Sequence, residues 1–180
     1  TVLSDITFDI YKGRNVAILG RNGGGKSTLI KVLLGYLKKT SGDVEFFISK
    51  NKIGYLPQIR DFDASFPITI YELVISGLSN RKNLFRKFNK KEREEAENLL
   101  KEFDIYLLKD KLIGEVSGGL LQRALIARAL ISSPDIIFLD EPESFLDKEF
   151  EFQLFEKIRK LSDSTVVIIS HESEKIYVYV

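Results

Sequence analysis

Residues 20 to 28 read GRNGGGKST, a pattern of Gly, four residues, Gly, Lys and Ser. It follows an apolar run and opens an apolar-periodic one, so it sits between a strand and a helix. Its chemistry is that of a phosphate-binding loop. The backbone N–H groups of Gly20, Arg21, Asn22, Gly23, Gly24 and Gly25 can turn inward around phosphate oxygens. Lys26 then reaches the β and γ phosphates of a nucleoside triphosphate. Ser27 offers a hydroxyl to Mg²⁺, and Thr28 lies at the helix start near the α phosphate. The competing reading, a glycine turn beside a surface lysine, does not explain the strand and helix on either side.

A second group of residues suits metal and water. DIIFLDEP, residues 135 to 142, is an apolar strand ending in Asp140 and Glu141. A carboxylate at the C-terminal end of a parallel strand stands where ligands bind. Asp140 is expected to hold Mg²⁺, and Glu141 to orient or deprotonate the attacking water. Gln58 follows GYLP and can offer an amide oxygen to a metal or an N–H to water; an ordinary loop glutamine is its bland alternative. His171, just past VVIIS, is placed to donate to a γ phosphate, against the commoner structural role of a lone histidine. A third motif, SGGLLQR at 117 to 123, is another glycine-rich helix start, with Ser117, Gly118 and Gly119 before an apolar run. Its free N–H groups and dipole also favour an anion.

These residues need elements to hold them. NVAILG reads as a buried parallel strand, and a helix is expected from Lys26 to about Leu37, with Leu29, Ile30, Leu33 and Leu34 on one face. ITFDI alternates like a half-buried strand, and VEFFI and KIGYL read as short strands. ITIYELVIS, from residue 68, fits helix or strand. Asn89 and Glu92 form a capping-box pattern before Ala96, Leu99, Leu100 and Phe103 at helical spacing. The six basic residues among positions 81 to 91 give way at once to acids at 92, 94, 95 and 97, as on a solvated helix face rather than a nucleic-acid surface. A buried helix is expected from about Gly119 to Ser132, and DIIFLD and TVVIIS read as buried strands. Strands alternating with helices give an α/β fold around a mostly parallel sheet.

Composition narrows the choices. With 180 residues, 44% of them hydrophobic, the chain supports one core rather than two. A net charge of +1 argues for no acidic partner. No Cys and one His leave no basis for a disulfide framework or a thiolate or histidine metal cluster. The apolar runs fall far short of the ~18 residues of a membrane span, and the N-terminus has no signal-peptide pattern, so a cytosolic domain is expected. The absence of Met, the initiator included, suggests a chain either truncated or incompletely given.

The order of motifs resembles the ATP-binding-cassette ATPases: phosphate loop, Gln58, SGG, DEP, SFLD, then His171. The likeness runs from Thr1 to His171. It implies a P-loop NTPase core at about 1–67 and 133–180, with a helical subdomain at about 68–132, within one domain. It implies ATP and Mg²⁺ as cofactors, with Gln58, Glu141 and His171 at the reaction and Ser27, Gln58 and Asp140 around the metal. It also implies a head-to-tail pair of subunits, in which Ser117, Gly118 and Gly119 meet the γ phosphate held by the partner. Transmembrane permease subunits would place the chain at the inner face of the cell membrane. LPQIRDFDASFPITIYELVISG, residues 56 to 77, resembles the corresponding segment of zinc, manganese and iron-chelate importers. The family's usual glutamine after the two glycines is Leu120 here, whereas Gln122 and Arg123 match. The adenine-stacking aromatic is expected upstream of Val2, and only nine residues follow His171. A cassette acting on nucleic acid or the ribosome is the alternative. The 91 positions between Lys26 and Ser117 leave no room for the long coiled coil of the chromosome-maintenance relatives, and translation-related relatives carry two cassettes.

Overall fold

The computed structural model describes residues 3–79, 87–161 and 164–170. Four strands form one parallel sheet: β1 (Val16–Leu19), β2 (Ile53–Leu56), β3 (Ile136–Asp140) and β4 (Thr165–Ser170), in the order β1-β4-β3-β2. β3 and β4 are buried at every position, as expected of central strands covered on both faces. The helices among the described residues are α1 (Lys26–Leu33), α2 (Ile70–Ile75), α3 (Lys90–Glu102), α4 (Gly118–Leu130) and α5 (Lys148–Arg159).

The sheet register sets the site. Leu19 lies beside Ser170, Ile169 beside Asp140, and Leu139 beside Leu56. The C-terminal ends of all four strands therefore lie along one edge. The glycine loop follows β1 there, Pro57 and Gln58 follow β2, and Glu141 follows β3.

Two apolar clusters sandwich the sheet. On one side Leu56, Ile137, Leu139, Val166 and Ile168 share a core with residues of α2, α3, α4 and α5, including Leu73, Leu100, Leu125 and Leu154. On the other side Ile30 of α1 packs on Ile136, Phe138, Val167 and Ile169. α4 is buried around most of its circumference, as its apolar residues on most sides require.

The ambiguous stretch after residue 68 is helical from Ile70. Thr69 and Glu72 make a capping box, a local interaction that decides for helix where the apolar pattern does not. The Asn89–Glu92 box also forms, and α3 starts at Lys90. α1 ends at Leu33, four residues before the expected Leu37. Gly35 takes φ 73, its N–H donates to Val32 O, and Tyr36 N–H donates to Lys31 O, which closes the helix with a left-handed turn. α4 likewise stops at Leu130, before Ser133 at φ 44 and Pro134.

Two expected strands do not form: ITFDI and VEFFI pair with no strand among the described residues. Ile10, Phe46 and Ile48 pack against the α1-side cluster, while Ile6 and Phe8, which alternation puts on the same face as Ile10, stay exposed, as does Phe47. A strand needs a hydrogen-bonding neighbour, which a local pattern does not supply.

Candidate active site

The glycine loop is built around left-handed backbone. Gly23 has φ 75, and Gly25, the residue capping α1, has φ 86; both conformations disfavour a Cβ. At Gly24 a Cβ would lie 3.0 Å from the Arg21 carbonyl oxygen, which accepts from Gly24 N–H at 3.1 Å. Lys26 Nζ donates to Gly20 O at 2.8 Å and to Arg21 O at 3.1 Å, which holds the ammonium over the loop. No side chain caps α1. Thr69, Asn89, Ser117 and Asp147 each cap the helix that follows them. The start of α1 thus keeps backbone donors available to an anion, beside a lysine and a hydroxyl at Ser27 and Thr28.

Asp140 ends β3 fully buried. Glu141 follows at φ 51, a left-handed bend that costs a non-glycine residue about 1–3 kcal/mol. Its N–H donates to Ile169 O at 2.9 Å, which ties the bend to β4. Gln58 Nε2 donates to Glu141 Oε2 at 2.6 Å across 83 residues of sequence. Ser144 Oγ lies 3.4 Å from the same carboxylate oxygen. Gln58 and Glu141, far apart in sequence, are therefore in direct contact. Glu143 accepts at Oε1 from Ser170 Oγ at 2.6 Å, which ties the loop after Glu141 to the end of β4. His171 lies outside the described residues.

The residues expected around a metal, Ser27, Asp140 and Gln58, could offer it only oxygen: one hydroxyl, one carboxylate and one amide. That set fits Mg²⁺, which takes one or two carboxylates and completes its shell with phosphate oxygens and water. The described residues contain no group of three or more His, Cys, Asp or Glu that would hold a metal by protein ligands alone.

The second glycine-rich helix start is organised differently. Ser117 Oγ accepts from Leu120 N–H at 3.4 Å. A Cβ on Gly118 would lie 3.1 Å from Phe145 Cδ1, and one on Gly119 only 2.8 Å from Phe145 O. The glycines allow the loop after Glu141 to pack directly on the helix start. Three side chains not assigned roles from sequence complete this contact. Gln122, fully buried, donates through Nε2 to Pro142 O at 3.1 Å, with Glu141 O at 3.5 Å. Arg123 stacks over the Phe150 ring at 3.7 Å and pairs with Asp147 at 3.2 Å. Asp147, too common a residue in too common a setting to interpret from spacing, caps α5 by accepting from Phe150 N–H at 2.8 Å. That bond, followed by the charge and hydrogen bond of Arg123, holds its carboxyl below the usual carboxylate range. The signal for these roles lay in SFLD and in QR, read together rather than singly.

The family model described as ABC transporter matches residues 3–144. The zinc uptake system ATP-binding protein ZurA of Listeria monocytogenes is 36% identical over 189 residues, covering 99% of this chain and 74% of that protein. The manganese transport system ATP-binding protein MntB of Listeria innocua is 35% identical, over 98% of this chain and 77% of its own length. Among solved structures, a nucleotide-free ATP-binding cassette from an ABC transporter superposes with a TM-score of 0.78 at 27% identity, covering 99% of this chain and 79% of that one. A cassette dimer bound to ADP and phosphate gives 0.78 at 25% identity, with 96% and 81% covered. A loop built for phosphates, acids at the same sheet edge and a match over most of the sequence agree: the chain belongs to the ABC transporter family, as an ATP-binding-cassette ATPase.

Proposed function

We propose that this cassette hydrolyses ATP as one of a head-to-tail pair and drives import of a metal ion through membrane subunits. The observation that carries the catalytic part is the 2.6 Å contact between Gln58 and Glu141 at the edge where the phosphate loop emerges. Lys26 and the α1 N–H groups bind the phosphates. Glu141 accepts the proton of the attacking water, and Gln58 orients both the carboxylate and the water. Ser27, Asp140 and Gln58 would hold Mg²⁺, which when bound offsets charge on the β and γ phosphates. His171 donates to the γ phosphate. Ser117, Gly118 and Gly119 contact the γ phosphate on the partner subunit. Residues 68–132 form the helical lobe that presents them.

The metal cargo rests on the zinc and manganese systems of the relatives and on residues 56 to 77. No helix among the described residues is long and apolar enough to cross a membrane. In this reading the cassette sits at the inner membrane face and works on separate membrane subunits. ATP hydrolysis should be stimulated by the cognate membrane subunits in vesicles, and zinc or manganese should accumulate inside only with ATP. Stimulation without uptake of either metal would overturn the cargo and keep the ATPase. Glu141→Gln should lower hydrolysis by ~10²–10⁴-fold while ATP still binds; hydrolysis at the wild-type rate would remove Glu141 from the reaction.

A further inference from the structure

We propose that Gln122 is a positioning residue, whose side-chain amide holds the backbone just after Glu141 so that the Glu141 carboxylate stays aimed at Gln58. The inference rests on the reading of Glu141 as the reacting acid.

Gln122 lies one turn into α4 and is fully buried. A buried glutamine needs partners for both ends of its amide. Here only one end has them: Nε2 reaches Pro142 O at 3.1 Å and Glu141 O at 3.5 Å. Oε1 is buried without a hydrogen-bond partner among the described residues. Two carbonyls can only accept, so the nitrogen must face them, which fixes the amide's orientation. A group buried at the cost of an unsatisfied oxygen is there for its donor. Packing alone would be served better by an apolar side chain of the same length.

What the donor grips is the strained part of the site. Glu141 takes φ 51, its N–H donates to Ile169 O on the β4 side, and its carbonyl accepts from Ser144 N–H at 3.1 Å. Gln122 holds the following carbonyls from the opposite layer, the helix carrying Ser117, Gly118 and Gly119. The bend is thereby fixed from both sides, and the carboxylate leaving it meets Gln58 at 2.6 Å. Arg123 pairs with Asp147 further along the same loop, so the first two turns of α4 hold that loop at two points. A shift of the α4 start on contact with a partner subunit would pass to this chain's own acid through Gln122.

The test uses the full-length natural chain. Gln122→Met keeps length and volume and removes both the donor and the unsatisfied oxygen. It is expected to fold with an undiminished melting temperature and to bind a fluorescent ATP analogue as the wild type does. Turnover at saturating ATP should fall by about 10–100-fold with KM little changed, as expected when only the geometry of the reacting group is disturbed. Gln122→Leu repeats the measurement should the Met variant not fold. The deciding readout is the pair with Glu141→Gln. Once the carboxylate is gone there is nothing left to aim, so adding Gln122→Met should not lower the residual single-turnover rate further. An equal loss in both backgrounds would mark a merely structural residue and overturn the proposal. So would wild-type turnover by Gln122→Met beside an inactive Glu141→Gln. If Glu141→Gln itself turns over normally, the assignment of the acid has failed first, and the positioning role falls with it.

Discussion

The chain has two glycine-rich helix starts, and they use glycine for opposite reasons. Before α1, Gly23 and Gly25 stand at φ 75 and 86, and a Cβ on Gly23 would meet nothing within 4 Å. There the backbone conformation demands glycine at both positions and space is open at Gly23; Gly24 between them is limited by space, its Cβ position lying 3.0 Å from Arg21 O. Before α4, neither Gly118 nor Gly119 has positive φ, but their Cβ positions lie 3.1 and 2.8 Å from Phe145. There the conformation is ordinary and space demands glycine. The first start also lacks a side-chain cap and has its own lysine, so it offers an anion both free donors and a charge. The second is already capped by Ser117 and packed against the loop after Glu141. It has little to build a site with and much to connect one to. Similar composition therefore separates into a binding element and a coupling element.

The sharpest way to break this contrast is to exchange the failures. Ser117→Arg puts bulk and charge where a partner's γ phosphate is proposed to approach. Hydrolysis should fall by ~10²-fold or more, the scale of losing an oriented donor to a reacting group, while single-chain ATP binding stays intact. Lys26→Ala should do the reverse and weaken ATP binding itself. It removes charge-assisted hydrogen bonds worth ~1.5–3 kcal/mol, or on the order of 10–100-fold in affinity by calorimetry. Equal losses of ATP affinity in the two variants would mean that both helix starts serve the same chain's nucleotide.

A milder pair separates conformation from space. Gly23→Ala places a Cβ on left-handed backbone at a cost of about 1–2 kcal/mol. Asparagine tolerates that region better, so Gly23→Asn should recover part of the loss. Gly119→Ala gains up to ~1 kcal/mol of helix propensity but meets a backbone oxygen at 2.8 Å, an overlap costing about 1–3 kcal/mol. Gly119→Asn should be worse still. Thermal melts of the four variants test this. Recovery by asparagine at both positions would show that conformation, not space, limits the second site.

The sequence made one of these two starts far more legible than the other. The phosphate loop is a local device: conformation, lysine and hydroxyl all lie within residues 20 to 28, so spacing alone describes it. β3 and β4 were legible for a similar reason, since continuous burial leaves a continuous apolar run. The rest is non-local. Gln58 meets Glu141 because β2 and β3 are neighbours in a parallel sheet, a fact about strand order that no spacing encodes. Gln122, Phe145 and Asp147 gain their roles from α4 packing on a loop some twenty residues further on. The two strands that failed to appear, at 6–10 and 44–48, show the same limit. Their local pattern resembles a strand, and pairing depends on a partner elsewhere.

The smallest expected effect tests the edge of the coupling element. Asp147 caps α5 and pairs with Arg123, and its carboxyl titrates below the ordinary range, chiefly through the Phe150 N–H. A depressed folded pKa means that the ionised form stabilises the native state. That contribution is fully present above the unfolded value of ~3.9 and is lost as pH falls through the folded value. Asp147→Asn keeps an oxygen able to cap the helix, since asparagine serves at that position about as well as aspartate. It removes only the charge. The wild type should therefore melt slightly higher than Asp147→Asn at neutral pH, and the gap should close below the ordinary carboxylate range. Because Asp147 is largely exposed, added salt should also narrow the gap at neutral pH. A gap that persists unchanged at pH 2 would mean that Asp147 acts by shape alone. The tie between α4 and the loop after Glu141 would then rest on Gln122 and on the contact of Phe145 with the two glycines.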